Sequence, residues 1–297
     1  MKTIAFAGLG AMGLPMAKNL LVAGYRVRGI DLNPTALAEL TVAGAEPAAS
    51  ASEAASGAGM LILMVVNAAQ AEQVLFGNGA LQALDEGGIV CLMATCPPAT
   101  VERIAARVVA AGRRFVDAPV SGGTAGAIAG SLTIMAACER ASFDAVQPVF
   151  QAIGQRIFHV GERAGQGATV KTVNQLLCGV HIAVVAEAFA LAAKVGVDLD
   201  VLLEIMSGSA ASSWMLKDRG PRMLQAEPEV SSAVDIFVKD LGIVLEAGRD
   251  AGAALPIAAV AHQLFLATSG RGDGRVDDSQ VIRSYYALNG TMAASRP

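Results

Sequence analysis

Apolar residues along this chain follow two rhythms. In the N-terminal half, short runs that read as strands, at 4–7, 25–30, 60–66, 88–93, 115–118, 131–138 and 156–160, some apolar throughout as at 4–7 and 60–66, alternate with mixed stretches such as 11–22 and 98–111. A short unbroken run bounded by turn residues is the mark of a strand covered on both faces, whereas the mixed stretches have helical spacing. Strand–helix alternation of this kind predicts a doubly wound, mainly parallel sheet. Local signals agree with it. Gly24 is a natural helix stop, Asn33-Pro34 a cap followed by a first helical residue, and Ser142 the cap expected for the helix before the last strand. Beyond Gly165 the strand rhythm ends. A segment running to about Lys194 is apolar almost all round, as in a helix buried between two bodies, and 200–206, 213–225, 235–248, 257–269 and 279–288 read as further helices. No linker rich in Gly, Ser or Pro separates the halves. The long helix, 165–194, is therefore the joint between an α/β domain at 1–163 and an all-α domain at 164–297, with a frayed tail from Gly290.

Composition narrows the class. Lys+Arg 22 against Asp+Glu 26 leaves a net charge of −4, too balanced for a nucleic-acid surface. The four cysteines, Cys91, Cys96, Cys138 and Cys178, have neither C-x-x-C nor metal spacing, and no His/Asp/Glu cluster implies a metal. A reduced, cytoplasmic protein is expected. The mean hydropathy of +0.50 raises the question of a membrane, but His181, Glu187 and Lys194 interrupt the long apolar segment. Met1-Lys2 before an apolar run imitates a signal peptide; the glycines inside that run have another explanation.

Those glycines form Gly8-Leu9-Gly10-Ala11-Met12-Gly13, between the first strand and the first helix, with Asp31 closing the next strand. In that setting G-x-G-x-x-G is the dinucleotide fingerprint, and the α/β domain is Rossmann-type. Gly8 permits the tight turn, Gly10 lets the backbone approach a pyrophosphate, and Gly13 lets helix lie on strand. The helix N-terminus offers N–H groups to the phosphates. Asp31 would take the adenosine ribose hydroxyls and repel a 2′-phosphate, and Leu32 stands where an arginine would welcome one. The expected cofactor is NAD rather than NADP. Val66, Asn67, Thr95 and Ser121 fall at carboxyl ends of strands, where such sheets bind ligands, and the cleft toward the helical domain is the expected site.

The second chemical signal opens the long helix. In Gly165-Gln166-Gly167-Ala168-Thr169-Val170-Lys171-Thr172-Val173-Asn174-Gln175, residues Lys171, Asn174, Gln175 and Cys178 share one helical face. A lysine and two amides on a buried helix are either a satisfied polar seam or a reactive site.

With these motifs in order, the chain resembles the β-hydroxyacid dehydrogenase family, which includes 3-hydroxyisobutyrate dehydrogenase and tartronate semialdehyde reductase. Gly8 to Gly13 with Met16-Ala17-Lys18-Asn19-Leu20 is similar to the family's cofactor signature, and Asp117-Ala118-Pro119-Val120-Ser121-Gly122-Gly123 to its substrate signature. Gly165-x-Gly-x-x-x-Lys171-x-x-Asn174-Gln175 resembles its catalytic signature, and Lys239-Asp240-Leu241 its cofactor-side lysine motif. Residues 173–182, Ser212-Ser213-Trp214-Met215 and 232–241 resemble the branch that oxidises the C2 hydroxyl of a four-carbon sugar acid such as L-threonate with NAD. Two departures fall on the nicotinamide side. Leu92-Met93-Ala94-Thr95 keeps only the threonine of the family's Asp-x-Ser-Thr/Ser, and Val66-Asn67 lacks its usual proline.

The resemblance implies an NAD-dependent hydroxyacid dehydrogenase with a small hydroxy-acid substrate, no nucleic-acid or membrane partner, and a homodimer or homotetramer; the apolar stretch 251–261 fits the last. Hydride loss from an alcohol carbon requires a group to take the hydroxyl proton, and Lys171 is the candidate. Asn174 would hold Lys171 or the hydroxyl in register, and Gln175 would assist. Ser121 with the N–H groups of Gly122 and Gly123 would form a concave site for the substrate carboxylate. His181, Ser212 and Ser213 would meet further hydroxyls, and Lys239 would touch the cofactor. His159 and His262 are expected to be structural or exposed, Trp214 to serve packing, and Cys178 to act as a small hydrophobe. The alternatives are tartronate semialdehyde reductase or 3-hydroxyisobutyrate dehydrogenase activity and, more remotely, a non-catalytic dinucleotide-binding module. An imine reductase is disfavoured because such proteins usually lack the lysine.

Overall fold

Residues 3–290 are described by a computed structural model; Met1, Lys2 and 291–297, and with them most of the tail expected from Gly290, lie outside the described residues. The chain divides into two compact units, Met1–Lys171 and Thr172–Pro297.

The first unit holds nine strands: β1 (Thr3–Ala7), β2 (Arg26–Ile30), β3 (Glu46–Pro47), β4 (Ala58–Leu63), β5 (Ile89–Leu92), β6 (Arg114–Asp117), β7 (Val120–Ser121), β8 (Leu132–Ala137) and β9 (Gly154–Gly161). Between them run α1 (Gly13–Val22), α2 (Pro34–Val42), α3 (Ala51–Ala55), α4 (Ala68–Glu72), α5 (Ala80–Ala83), α6 (Pro98–Ala110), α7 (Gly123–Ile128) and α8 (Arg140–Gln151). All nine strands form one sheet in the order β3-β2-β1-β4-β5-β6-β8-β7, with β9 paired to β8. Its pairings are parallel except β6 and β7 against β8.

Alternation along each strand loads both faces of the sheet. Ile4, Phe6, Ile62, Cys91 and Val116 join Met16, Leu20, Phe143 and Phe150 in one core layer. Ala5, Ala7, Leu61, Leu63, Val90 and Leu92 join Leu81, Ile104 and Val108 in the other. The runs in β1, β4 and β5 are continuous because those strands are buried on both faces, whereas β2 and β9 are partly exposed and carry polar residues.

Two local expectations are corrected. The fourth strand stops at Leu63, three residues before Val66: the Val66 N–H donates to Gln70 Oε1 and Asn67 caps α4, so that stretch is loop, with Val66 exposed despite its apolar side chain. Ser142 is not a cap. The helix already starts at Arg140, and Ser142 is buried within its first turn. Asn33, by contrast, caps α2 as expected, accepting from the Thr35 N–H at 3.0 Å.

The second unit is helical. α9 (Gln166–Lys194) begins in the first unit and runs on into the second, followed by α10 (Leu199–Gly208), α11 (Trp214–Met223), α12 (Val234–Asp250), α13 (Pro256–Thr268) and α14 (Ile282–Asn289). Ile182, Ala186 and Phe189 of α9 pack with Leu216, Phe237, Leu241, Val244, Phe265 and Tyr285. By length and hydropathy α9 could cross a membrane, but this face is spent on a protein core. A buried ionic cluster ties α11 to the segment before α14. Arg219 makes a bidentate pair with Asp278 at 2.9 and 2.8 Å, and Arg222 meets Asp277 at 2.6 Å.

Candidate active site

On the first unit, the fingerprint loop is shaped by its glycines. Gly8 has φ +96°, and a Cβ there would lie 2.4 Å from the Met64 carbonyl oxygen. A Cβ at Gly13 would fall 1.9 Å from the Gly8 oxygen, so helix and turn meet only because it is absent. Gly10 differs: nothing of the protein lies within 4 Å of its would-be Cβ. That glycine is not required by internal packing, and its bareness suits close approach by a bound group. Met12, at the head of α1, has no side-chain cap, which leaves the first N–H groups directed at such a group. Asp31 Oδ2 accepts from the Leu9 N–H at 2.5 Å and Oδ1 from the Asn33 N–H at 2.7 Å, placing an acid against the fingerprint. Leu32 is fully exposed beside it. These features fit a dinucleotide without a 2′-phosphate.

Thr95 follows β5, and Ser121 ends the sheet part of the Asp117–Gly123 motif on β7. Gly122 and Gly123 have φ +131° and +61°, a conformation that L side chains rarely adopt, and α7 starts there. Asn19 of α1 donates to the Ala127 carbonyl at 2.8 Å, bracing α7 against the cofactor helix. Asp117 is 1% exposed, and its Oδ2 accepts from the N–H groups of Gly165 and Ala168, both at 2.9 Å. Burial pushes its carboxyl up to about 6, against the pull of the Ala168, Gly165 and Gly167 N–H groups. Lys171, 7% exposed, is the last residue of this unit.

On the second unit the polar residues of α9 form a chain. Asn174 Nδ2 donates to Gln175 Oε1 at 2.8 Å and contacts Cys178 Sγ at 3.4 Å. Gln175 Nε2 donates to Asp240 Oδ2 at 2.5 Å, and Lys239 Nζ meets Asp240 Oδ1 at 2.5 Å. The structure thus brings Asn174, Gln175 and Lys239 together through Asp240, which sequence reasoning did not single out although it stands in the quoted Lys239-Asp240-Leu241 motif.

Other residues take plainer places. Ser213 caps α11, its oxygen accepting from the Leu216 N–H at 3.0 Å. His159 meets the Cys138 carbonyl and stacks on Phe143, and His262 meets the Val238 carbonyl; both are structural. Trp214 is 54% exposed rather than packed, with Arg219 5.9 Å from its ring. His181 lies half-buried on α9. All four cysteines are free thiols, and among the described residues no group of His, Cys, Asp and Glu could hold a metal.

Comparison with known proteins covers the same ground. Residues 3–161 match the family described as the NAD binding domain of 6-phosphogluconate dehydrogenase, and 165–285 the family described as NAD-binding of NADP-dependent 3-hydroxyisobutyrate dehydrogenase. An L-threonate dehydrogenase from Cupriavidus necator is 43% identical over 288 residues, 97% of each chain. An NAD-dependent L-serine dehydrogenase from Pseudomonas aeruginosa is 35% identical over 98% of this chain and 100% of its own. The crystal structure of a 3-hydroxyisobutyrate dehydrogenase from Salmonella typhimurium, 41% identical, superposes with a TM-score of 0.91 over 95% of this chain and 99% of that one.

Proposed function

The chain belongs to the β-hydroxyacid dehydrogenase family, and from that premise we propose that it oxidises the hydroxyl of a small sugar acid, L-threonate or a near relative, with NAD. The single observation that carries the reading is a buried lysine, Lys171, three and four residues before Asn174 and Gln175 on α9. A module that only bound a dinucleotide would have no use for it. The residues of the fingerprint would hold NAD, which would supply the acceptor for the hydride of the hydroxyl-bearing carbon. Lys171 Nζ takes the hydroxyl proton. Asn174, held by Gln175, keeps the lysine or the hydroxyl in register. Ser121 with the N–H groups of Gly122 and Gly123 receives the carboxylate. Gly8 to Gly13 and Asp31 hold the adenosine and pyrophosphate side, Val66, Asn67 and Thr95 line the nicotinamide side, and Lys239 touches the cofactor. His181, Gln175 and Ser213 serve the remaining hydroxyls.

The proposal extends to organisation. The cofactor domain is assigned to residues 1–163 and the substrate and oligomerisation domain to 164–297, the two family matches meeting between 161 and 165. A cytoplasmic location is part of the proposal, and a homodimer or homotetramer is supported by exposed apolar side chains. Leu177, Val184 and Leu191 recur at seven-residue spacing on α9, and Ile257 and Val260 are exposed on α13.

A panel of three- and four-carbon hydroxy acids assayed with NAD and NADP, with cofactor binding followed by calorimetry, tests the reading. NADH formation with a sugar acid is expected. Tight NAD binding with no turnover on any hydroxy acid would leave the binding module standing instead.

A further inference from the structure

Two motifs far apart in sequence meet at one carboxylate. Asp117 ends β6, between Leu92 of β5 and Ala137 of β8 in the sheet. The first N–H groups of α9 have no partner inside the helix, and those of Gly165 and Ala168 are taken by Asp117 Oδ2. Of the Gly165-x-Gly167 pair, Gly167 follows from this docking and Gly165 from its own backbone turn. Gly165 has φ +92°, and a Cβ there would strike Glu102. A Cβ at Gly167 would lie 2.6 Å from the Met135 oxygen, 2.8 Å from the Asp117 oxygen and 3.0 Å from Asp117 Cγ. The start of α9 is thus seated directly on Asp117, and Lys171 follows Ala168 by three residues, about 4.5 Å along the axis.

We propose that Asp117 is a positioning residue for the reaction: its ionised carboxylate clamps the head of α9 and so fixes where Lys171 stands relative to the Ser121–Gly123 loop that begins four residues after it. The inference rests on the assignment of Lys171 above. A negative charge at a helix N-terminus is favourable, and a carboxylate holds several N–H groups more strongly than a neutral acid or amide, which keeps one acceptor oxygen but no charge. The clamp therefore loosens when Asp117 is protonated, and burial has moved that event up to about pH 6. Several titratable or charged groups surround it. Cys138 at the end of β8 has its thiol raised to about 11 by burial and then by Asp117 itself; Cys91 lies on β5, Glu102 on α6, Glu139 before α8, His159 on β9, and Arg163 and Lys171 toward α9.

The test compares wild type, Asp117→Asn and Lys171→Ala from about pH 5 to about pH 9. Asp117→Asn is expected to lower kcat about tenfold at pH 8, with NAD affinity within about twofold, and to abolish the fall in kcat near pH 6. A wild-type kcat and an unchanged pH profile in that variant would overturn the inference alone, provided Lys171→Ala is inactive. Full turnover in Lys171→Ala would overturn the underlying assignment as well. Should Asp117→Asn not fold, amide exchange of 165–168 in wild type decides. Protection, corrected for intrinsic rates, is expected to drop about tenfold as pH falls through 6; constant protection refutes the clamp.

Discussion

Gln175 and Asp240, sixty-five positions apart, share a 2.5 Å hydrogen bond in the buried part of the helical unit. Asp240 spends its other oxygen on Lys239, so one carboxylate fixes an amide on α9 and a cation on α12. Replacing it by alanine leaves the Gln175 amide buried without an acceptor, at about 1–3 kcal/mol. Asp240→Ala is therefore expected to lower the Tm and to reduce kcat about tenfold, while Asp240→Asn, which keeps one acceptor oxygen, recovers part of both. Thermal unfolding and steady-state kinetics check this; no loss of either kind in Asp240→Ala would mean that the chain has no hold on the site.

The glycines of the fingerprint separate folding from binding. A Cβ at Gly13 collides with the Gly8 oxygen, whereas a Cβ at Gly10 meets nothing in the protein. Gly13→Ala should destabilise the fold by more than about 3 kcal/mol. Gly10→Ala should keep the wild-type Tm yet weaken NAD binding about tenfold or more. Urea denaturation and calorimetric titration distinguish the two. Equal NAD affinity in Gly10→Ala would remove the pyrophosphate from that turn.

The charge on Asp117 is expected to come at the expense of stability. Burial pushes its carboxyl up to about 6 in the fold, against an ordinary value of 3.8. A raised folded value favours the fold below about pH 4, and this contribution is lost as pH rises through about 6. The difference corresponds to about 3 kcal/mol. Asparagine does not titrate. The stability of wild type minus that of Asp117→Asn should therefore grow on acidification from pH 7 to pH 5. Urea unfolding at both values measures it, and a difference that shrinks contradicts the burial argument.

Most of the first unit was legible because its signals are local. Strands covered on both faces write themselves as continuous apolar runs, and the glycine at 13 is imposed by a contact inside one turn, that at 8 by its positive φ and the Met64 carbonyl. Ser142 misled because a favourable cap residue sat inside a helix that had already started. Val66 misled because an apolar side chain can stand in an exposed loop. The role of Asp117, the Asp240 bridge and the Arg219–Asp278 pair could not be read at all, since each joins segments dozens of residues apart. The Lys171 face was legible from helical spacing alone.

Lys171 should behave as a proton acceptor and not as a mere charge. Lys171→Ala is expected to lower kcat about 100-fold or more with NAD binding nearly intact. Lys171→Arg should not rescue, because guanidinium keeps its proton at any working pH. Near-normal turnover in the arginine variant would reduce the residue to an electrostatic part.

Cofactor choice turns on Asp31 and Leu32. The Asp31 carboxylate is held at the fingerprint by the Leu9 and Asn33 N–H groups, and no cation follows it in the exposed position 32. A 2′-phosphate would meet a fixed negative charge, worth about 1–3 kcal/mol, so kcat/KM should favour NAD by about tenfold or more. Kinetics with both cofactors decide; parity with NADP would show that Asp31 does not discriminate.

The substrate is the sharpest of these expectations, because the names of similar proteins divide between L-threonate and 3-hydroxyisobutyrate. Threonate carries two further hydroxyls beyond the reacting one, and each, once desolvated, costs about 1–3 kcal/mol if left without a partner. The methyl of hydroxyisobutyrate asks only for an apolar wall. Half-buried His181 lies on the helix that carries Lys171, and Gln175 adds a second polar group. Activity on L-threonate or a close sugar acid should therefore exceed that on 3-hydroxyisobutyrate by about tenfold or more in kcat/KM. His181→Ala is the informative variant. Ser213→Ala also removes the cap of α11, costing about 1 kcal/mol of stability whichever substrate is used. Only a KM change that differs between the two acids would tie that serine to the pocket. His181→Ala should raise KM for the sugar acid several-fold more than for the methyl acid. A wild type that prefers 3-hydroxyisobutyrate, or a His181→Ala variant that treats both acids alike, would move the chain to another branch of its family and leave the proposed proton transfer to Lys171 untouched.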